Sequence, residues 1–228
     1  MIPLFQPSPS DRFSPGKVFT FLFVMIGPLK VIGPFAKMTA GWDPGLTRRL
    51  AFQAIGIAAV GAFAAATVGS RPLQNWGISL GALLLTTGVV LFLVAMRVVM
   101  EQYEPHEWAE KADHPSAAAR PTSVAALAFS PLAFPTIITP YGAALLILLM
   151  TLRAGQTAIL VRIIGIAVLV LGLDLVAMLT ADRILTTPAV RPTQGILGSV
   201  LSVLQVALGV QAIVEALRLL GVPVLTAG

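Results

Sequence analysis

Two charged residues stand where a charge is hardest to keep. Lys30 lies about thirteen residues into an apolar segment that opens near Lys17, and Asp174 about seventeen into one that opens at Thr157. At about 1.5 Å of rise per residue both fall near the middle of a bilayer. An intramembrane charge costs at least ~2.5 kcal/mol on insertion scales, so each is a functional candidate by default. A lysine there can hold a carboxylate or a phosphate as a point charge. An aspartate can take a solute's amine or carry a coupling proton. The plainer roles are a lysine that snorkels towards the interface and an aspartate in a polar pocket of its own. As the only two charges that must lie deep, they are expected to face one cavity and neutralise each other.

The chain breaks around Lys30. Ile26-Gly27-Pro28-Leu29-Lys30-Val31-Ile32-Gly33-Pro34-Phe35 interrupts the first apolar segment, and Ser130-Pro131-Leu132-Ala133-Phe134-Pro135 with Thr139-Pro140-Tyr141-Gly142 interrupts a second one a hundred residues on. Proline has no N–H and its ring crowds the carbonyl four residues back, so each proline frees helical backbone groups. In hydrocarbon such groups survive only where protein or a wet cavity satisfies them. Paired broken helices in two halves of a membrane protein mark a transport site. The candidate binding residues are therefore Gly27, Pro28, Lys30, Pro34, Pro135, Thr139, Pro140, Tyr141, Asp174 and Gln211. Gln205, Thr86, Thr87, Ser130 and Thr136 read as interhelical glue worth about 0.6 kcal/mol each. Gly56, Gly61, Gly165 and Gly172 read as close-packing positions, and Glu215 as the partner of Arg218 at i+3.

These residues need elements that span a membrane, and the composition supplies them. The 228 residues are 57% apolar and only 11% charged, with mean hydropathy +0.89. A soluble domain carries roughly 25% charged residues, so the chain is polytopic and α-helical. Its net charge of +5 anchors segment ends and does not point to nucleic acid. After an irregular leader at 1–16, six segments follow: Lys17–Thr39, Leu46–Gly69, Trp76–Met100, Thr122–Leu152, Thr157–Ala181 and Gly195–Leu220. Each is long enough for a core that needs roughly 20 helical residues. The first is kept as a mature span, because a Pro-rich leader precedes it and no small-residue cleavage site follows. The tail is 221–228.

The one long polar stretch, 101–121, joins the halves 17–100 and 122–220. Glu101, Glu104, Glu107, Glu110 and Asp113 recur every three residues there, which fits a short solvated helix better than a site. His106, Glu110 and His114 share a face, but without thiolates no metal is expected. No nucleophile–base pair lies at membrane depth either, so neither an enzyme nor a cofactor is expected. Zero cysteines exclude disulfides.

The halves echo each other. Ala54-Ile55-Gly56-Ile57-Ala58 matches Ile163-Ile164-Gly165-Ile166-Ala167, Gly77-Ile78 matches Gly195-Ile196, and a broken segment opens each half. Three spans per half is an odd number, so the second repeat must be inverted relative to the first. Lys and Arg set the orientation. Arg12, Lys17, Arg71, Arg153, Arg162 and Arg218 share the face of the termini. Lys37, Arg48, Arg49, Arg97, Lys111, Arg120, Arg183 and Arg191 share the other. The positive-inside rule then puts the acidic stretch in the cytoplasm and both termini outside.

These motifs resemble those of the MarC family of six-span bacterial inner-membrane proteins, over residues from about 17 to 220. That family has Asn-Pro followed six residues later by Pro-Phe; here stand Gly27-Pro28 and Pro34-Phe35. Its Pro-Leu-Ala-x-Pro is intact at Pro131-Leu132-Ala133-Phe134-Pro135, while Thr139-Pro140-Tyr141 replaces its Gly-Pro-Gly. Trp76-Gly77-Ile78-Ser79 and Gly209-Val210-Gln211 match two further motifs. The resemblance implies kinship with lysine-exporter-like proteins and neutral amino-acid transporters. It also implies that Lys30, Thr139 and Tyr141 retune a site that relatives build from asparagine and glycine. The expected function is secondary transport of a small polar solute, an amino acid among the candidates, at mid-membrane between the broken helices. The alternative is transport or sensing of an amphiphilic lipid or envelope-precursor head group. A coupling proton and a homo-oligomer are left open.

Overall fold

The computed structural model describes residues 14–69, 75–101, 123–153, 155–186 and 190–223. Residues of the leader and of the acidic stretch, including His106, Glu110 and His114, fall outside them. The described residues are helical and contain no strand. Among the described residues five stretches are long and apolar enough to cross a membrane, and six when the bent pair Val124–Ile137 and Pro140–Leu152 counts as one span.

The first span is two helices. α1 (Pro15–Ile26) stops at Gly27, a single 3-10 turn follows at Pro28–Lys30, and α2 (Ile32–Thr39) resumes. Gly27 fits this stop, since a Cβ there would fall 2.1 Å from the Phe23 carbonyl oxygen. Pro34 does not break anything. It sits in the first turn of α2, where a missing N–H leaves no bond unmade. The expected break at Gly27–Pro34 therefore shrinks to Gly27–Val31.

α3 (Pro44–Val68) starts from a turn that the sequence spells out. Gly41 takes a φ of 76°, Asp43 accepts the Gly45 N–H at 2.8 Å, and Pro44 is the first helical residue. α4 (Leu80–Glu101) starts later than the expected Trp76. Gly77 is left-handed at φ 64°, and the Ser79 hydroxyl caps the helix by accepting the Ala82 N–H at 3.1 Å.

The fourth span is the most irregular. α5 (Val124–Leu127) runs into Ala128–Ile137, where Ser130 and Phe134 are extended. Each precedes a proline, and a proline pushes its predecessor out of the helical region. α6 (Pro140–Leu152) then sets off at 62° to what came before. Pro140 starts this helix at its first position, as Pro34 sits in the opening turn of α2. α7 (Thr157–Thr186) and α8 (Val190–Leu219) complete the chain, with Glu215 accepting from Arg218 at 3.3 Å as expected.

Packing follows small residues, though not all the expected ones. α3 turns Ala51, Ala54, Ala58, Ala62 and Ala66 inward, all buried, against α7 and the fourth span. Gly56 lies halfway between Ala54 and Ala58, on the opposite side of the helix. It meets nothing within 4 Å, and neither do Gly165 and Gly172. Gly61 is closely packed as expected, since a Cβ there would fall 3.2 Å from Ile138, and the backbone-to-backbone approach is at Gly88 on α4 and Gly209 on α8. A Cβ on Gly88 would come within 2.9 Å of the Ile213 nitrogen, and one on Gly209 within 2.8 Å of the Phe92 nitrogen. The α4 and α8 backbones therefore touch, as small residues allow in membranes.

Candidate functional site

Breaking α1 leaves carbonyls without their helical donors. Pro28 has no N–H to offer Val24, four residues back, and the 3-10 turn takes the next donors away from Met25. Side chains from three other places meet both groups. Gln205 on α8 donates its amide to the Val24 carbonyl at 2.7 Å. The Thr139 hydroxyl, at the start of α6, donates to the Met25 carbonyl at 3.2 Å. Lys30 reaches back from the turn and donates to the same carbonyl at 2.6 Å. The fourth span repeats the device locally: Pro135 frees the Pro131 carbonyl, and the Thr136 hydroxyl donates to it at 2.9 Å.

The end of α1 thus meets the start of α6. Thr139 caps α6 by accepting the Gly142 N–H at 3.1 Å while it donates to Met25. Gly142 permits the approach, because a Cβ there would sit 2.9 Å from Ile26. Tyr141, buried in the same turn, accepts a second hydrogen bond from Lys30 at 2.7 Å. Its ring centroid lies 4.7 Å from the ammonium. The C-terminal end of one half-helix carries partial negative charge and the N-terminal end of the other partial positive charge. Lys30 stands at the negative end.

Asp174 is 0% exposed, and neither carboxylate oxygen has a hydrogen-bond partner. Its helix, α7, packs against the turn that carries Lys30. No hydrogen bond or contact ion pair joins the two charges, for the Lys30 ammonium donates to Met25 and Tyr141 instead. The direct pair expected from their matching depth is therefore not formed. Depth along two helices sets height only; the lysine's own reach, back to Met25 and across to Tyr141, decides where the ammonium goes. The Gln53 side-chain oxygen on α3 is also buried without a partner.

Of the candidate residues, Gly27, Pro28, Lys30, Thr139, Pro140 and Tyr141 come together at the meeting of the two half-helices, with α7 and Asp174 beside them. Pro34 is exposed in α2, and Pro135 is exposed in the irregular part of the fourth span. Gln211 is half-buried on α8, six residues and about 9 Å along the helix from Gln205, with no hydrogen bond to this cluster. Two further residues belong to the break with Lys30 and Thr139: Gln205, assigned from sequence to interhelical glue, and Met25, which sequence reasoning did not single out. A signal existed for Gln205: Pro28 names Val24 as the carbonyl in need, and a buried amide is a natural donor.

Among the described residues no three His, Cys, Asp or Glu cluster as metal ligands. Between α3, α6 and α7 lies a small apolar cavity of about 50 Å³, lined by Ala62, Phe63, Leu146, Val168 and Leu171 among others. A family model described as MarC family integral membrane protein matches residues 14–220. No curated protein and no solved structure matches the chain.

Proposed function

The chain belongs to the MarC family of integral membrane proteins, and from that membership and the meeting of its two interrupted helices we propose that it is a secondary transporter of a small zwitterionic solute, an amino acid being the natural case. The observation that carries this reading is the pairing of opposite half-helix ends beside an unpartnered, fully buried carboxylate. A buried charge without a partner is costly, and intramembrane carboxylates serve substrate and proton pathways. The α6 N-terminus favours a solute carboxylate, and Asp174 favours its amine.

The set of neighbours supports an inverted-repeat plan. α4 packs along α8 and α3 along α7, while the first span leans on α7 as the fourth leans on α3. Exchanging the two halves leaves these contacts unchanged, as a pseudo-two-fold axis in the membrane plane requires. We place the protein in the bacterial inner membrane with both termini outside.

Purified protein in proteoliposomes, assayed for uptake and efflux across an amino-acid panel, tests the reading. Saturable flux of one panel member that is lost in Asp174→Asn supports it; no flux for any member overturns it. One observation favours a second reading, movement of an amphiphilic lipid head group. The apolar cavity between α3, α6 and α7 includes exposed Phe63 and Val168, and it ends at Leu171, one helical turn from Asp174. A lipid that co-purifies with wild-type protein and is lost in Phe63→Trp would favour that alternative.

A further inference from the structure

We propose that the Lys30 ammonium is a tethered occupant of a binding site for a primary ammonium group, built from the Met25 carbonyl, the Tyr141 hydroxyl and the Asp174 carboxylate. A protonated amine offers three donors and needs three acceptors. Lys30 uses two, at 2.6 Å to Met25 and 2.7 Å to Tyr141, and makes no third hydrogen bond among the described residues. The missing acceptor is offered by Asp174 on α7, which packs against the Pro28–Lys30 turn, and both of its carboxylate oxygens are buried and unpartnered. The lysine's tether accounts for the gap. Its stem starts in the 3-10 turn at Pro28–Lys30 and bends back along α1, so the head group stops at the α1 carbonyl short of the carboxylate. A solute ammonium carries no such tether and can engage all three groups at once.

The surroundings select for a monovalent organic cation. The freed carbonyl at the α1 C-terminus lies at the negative end of a helix dipole, and the Tyr141 ring centroid is 4.7 Å from the nitrogen, within reach of a cation–π contribution. Thr139 donates to the same Met25 carbonyl and holds it in place when the ammonium is exchanged. Deepening the transport reading, on which this role rests, Lys30 keeps the site neutral when empty and yields to the amine of an arriving solute.

The test is chemical rescue of the full-length chain in detergent and does not involve transport. Lys30→Ala opens the site, and n-propylammonium chloride stands in for the missing head group. The unfolding midpoint of Lys30→Ala is expected to rise by about 2–4 °C, saturably, with n-propylammonium. Sodium and potassium chloride at equal ionic strength should not reproduce the rise, wild type should show less of it, and Lys30→Ala/Asp174→Asn should show none. If Lys30→Ala yields no folded protein alone, the readout becomes folded yield with n-propylammonium present throughout extraction. No rescue in either form overturns the proposal, as does equal rescue by alkali salts or an equal rise in the double variant. A wild-type protein that transports while its Lys30→Ala variant ignores the amine removes this inference alone. Rescue without transport removes the transport reading alone.

Discussion

The ammonium of Lys30 donates to the hydroxyl of Tyr141 at 2.7 Å, joining positions 111 residues apart. With the Thr139 hydroxyl's bond to the Met25 carbonyl, it ties the break in the first span to the start of α6, and the charged deep residue of one half takes its second acceptor from the other half. Charge-assisted hydrogen bonds of this kind are worth about 1.5–3 kcal/mol. Tyr141→Phe keeps the ring and removes the acceptor. We expect a lower unfolding midpoint in detergent and loss of most transport; an unchanged midpoint would mean that the bond contributes nothing to holding the halves together.

Asp174 has no hydrogen-bond partner to lose. Asp174→Asn removes a desolvated charge and keeps the shape, so the folded yield is expected to stay level or to rise. Transport should be abolished. This separates a carboxylate kept for function from one kept for structure, since a structural carboxylate would lower yield and activity together. Lys30→Met is the opposite case: it leaves the Tyr141 hydroxyl without its donor and Asp174 without a facing charge, and yield should fall. Expression and flux measured side by side for both variants check the contrast.

Gln205 and Gln211 differ by six positions and should differ in consequence. Gln205→Leu leaves the Val24 carbonyl buried without a donor, a cost of about 1–3 kcal/mol. Gln211→Leu removes no hydrogen bond within the described residues and should be nearly neutral for stability. Thermal unfolding of the two variants decides whether the break needs its amide.

The α4–α8 contact predicts a similar contrast among glycines. Gly209→Leu must force apart backbones already in contact, so we expect severe destabilisation, read as aggregation on size-exclusion chromatography. Gly165→Leu adds a side chain in open space on α7, and a normal elution profile is expected.

Orientation rests on eight Lys and Arg against six on the two faces. It predicts that a single cysteine at Ser116 is protected from an impermeant thiol reagent in intact cells and labelled after lysis. Strong labelling of intact cells would invert the topology.

Much of this molecule is written in local chemistry. Apolar length defined the spans, and Gly27-Pro28, Pro131, Pro135 and Thr139-Pro140 located the interruptions, because a proline acts on the carbonyl four residues behind it wherever the chain folds. The turn at Gly41–Gly45 and the pair Glu215–Arg218 were legible for the same reason, as their partners lie within a few positions. The rest depended on helix phase and on partners from distant spans. Gly56 and Gly88 are the same residue type in similar apolar runs. Only the rotation of each helix about its axis turned Gly88 towards Gly209 and Gly56 away from everything. Which amide met Val24 depended on where α8 brings Gln205, and whether Lys30 met Asp174 or Tyr141 on the reach of one side chain. Sequence depth set two charges at one height, and tertiary structure kept them from closing on each other.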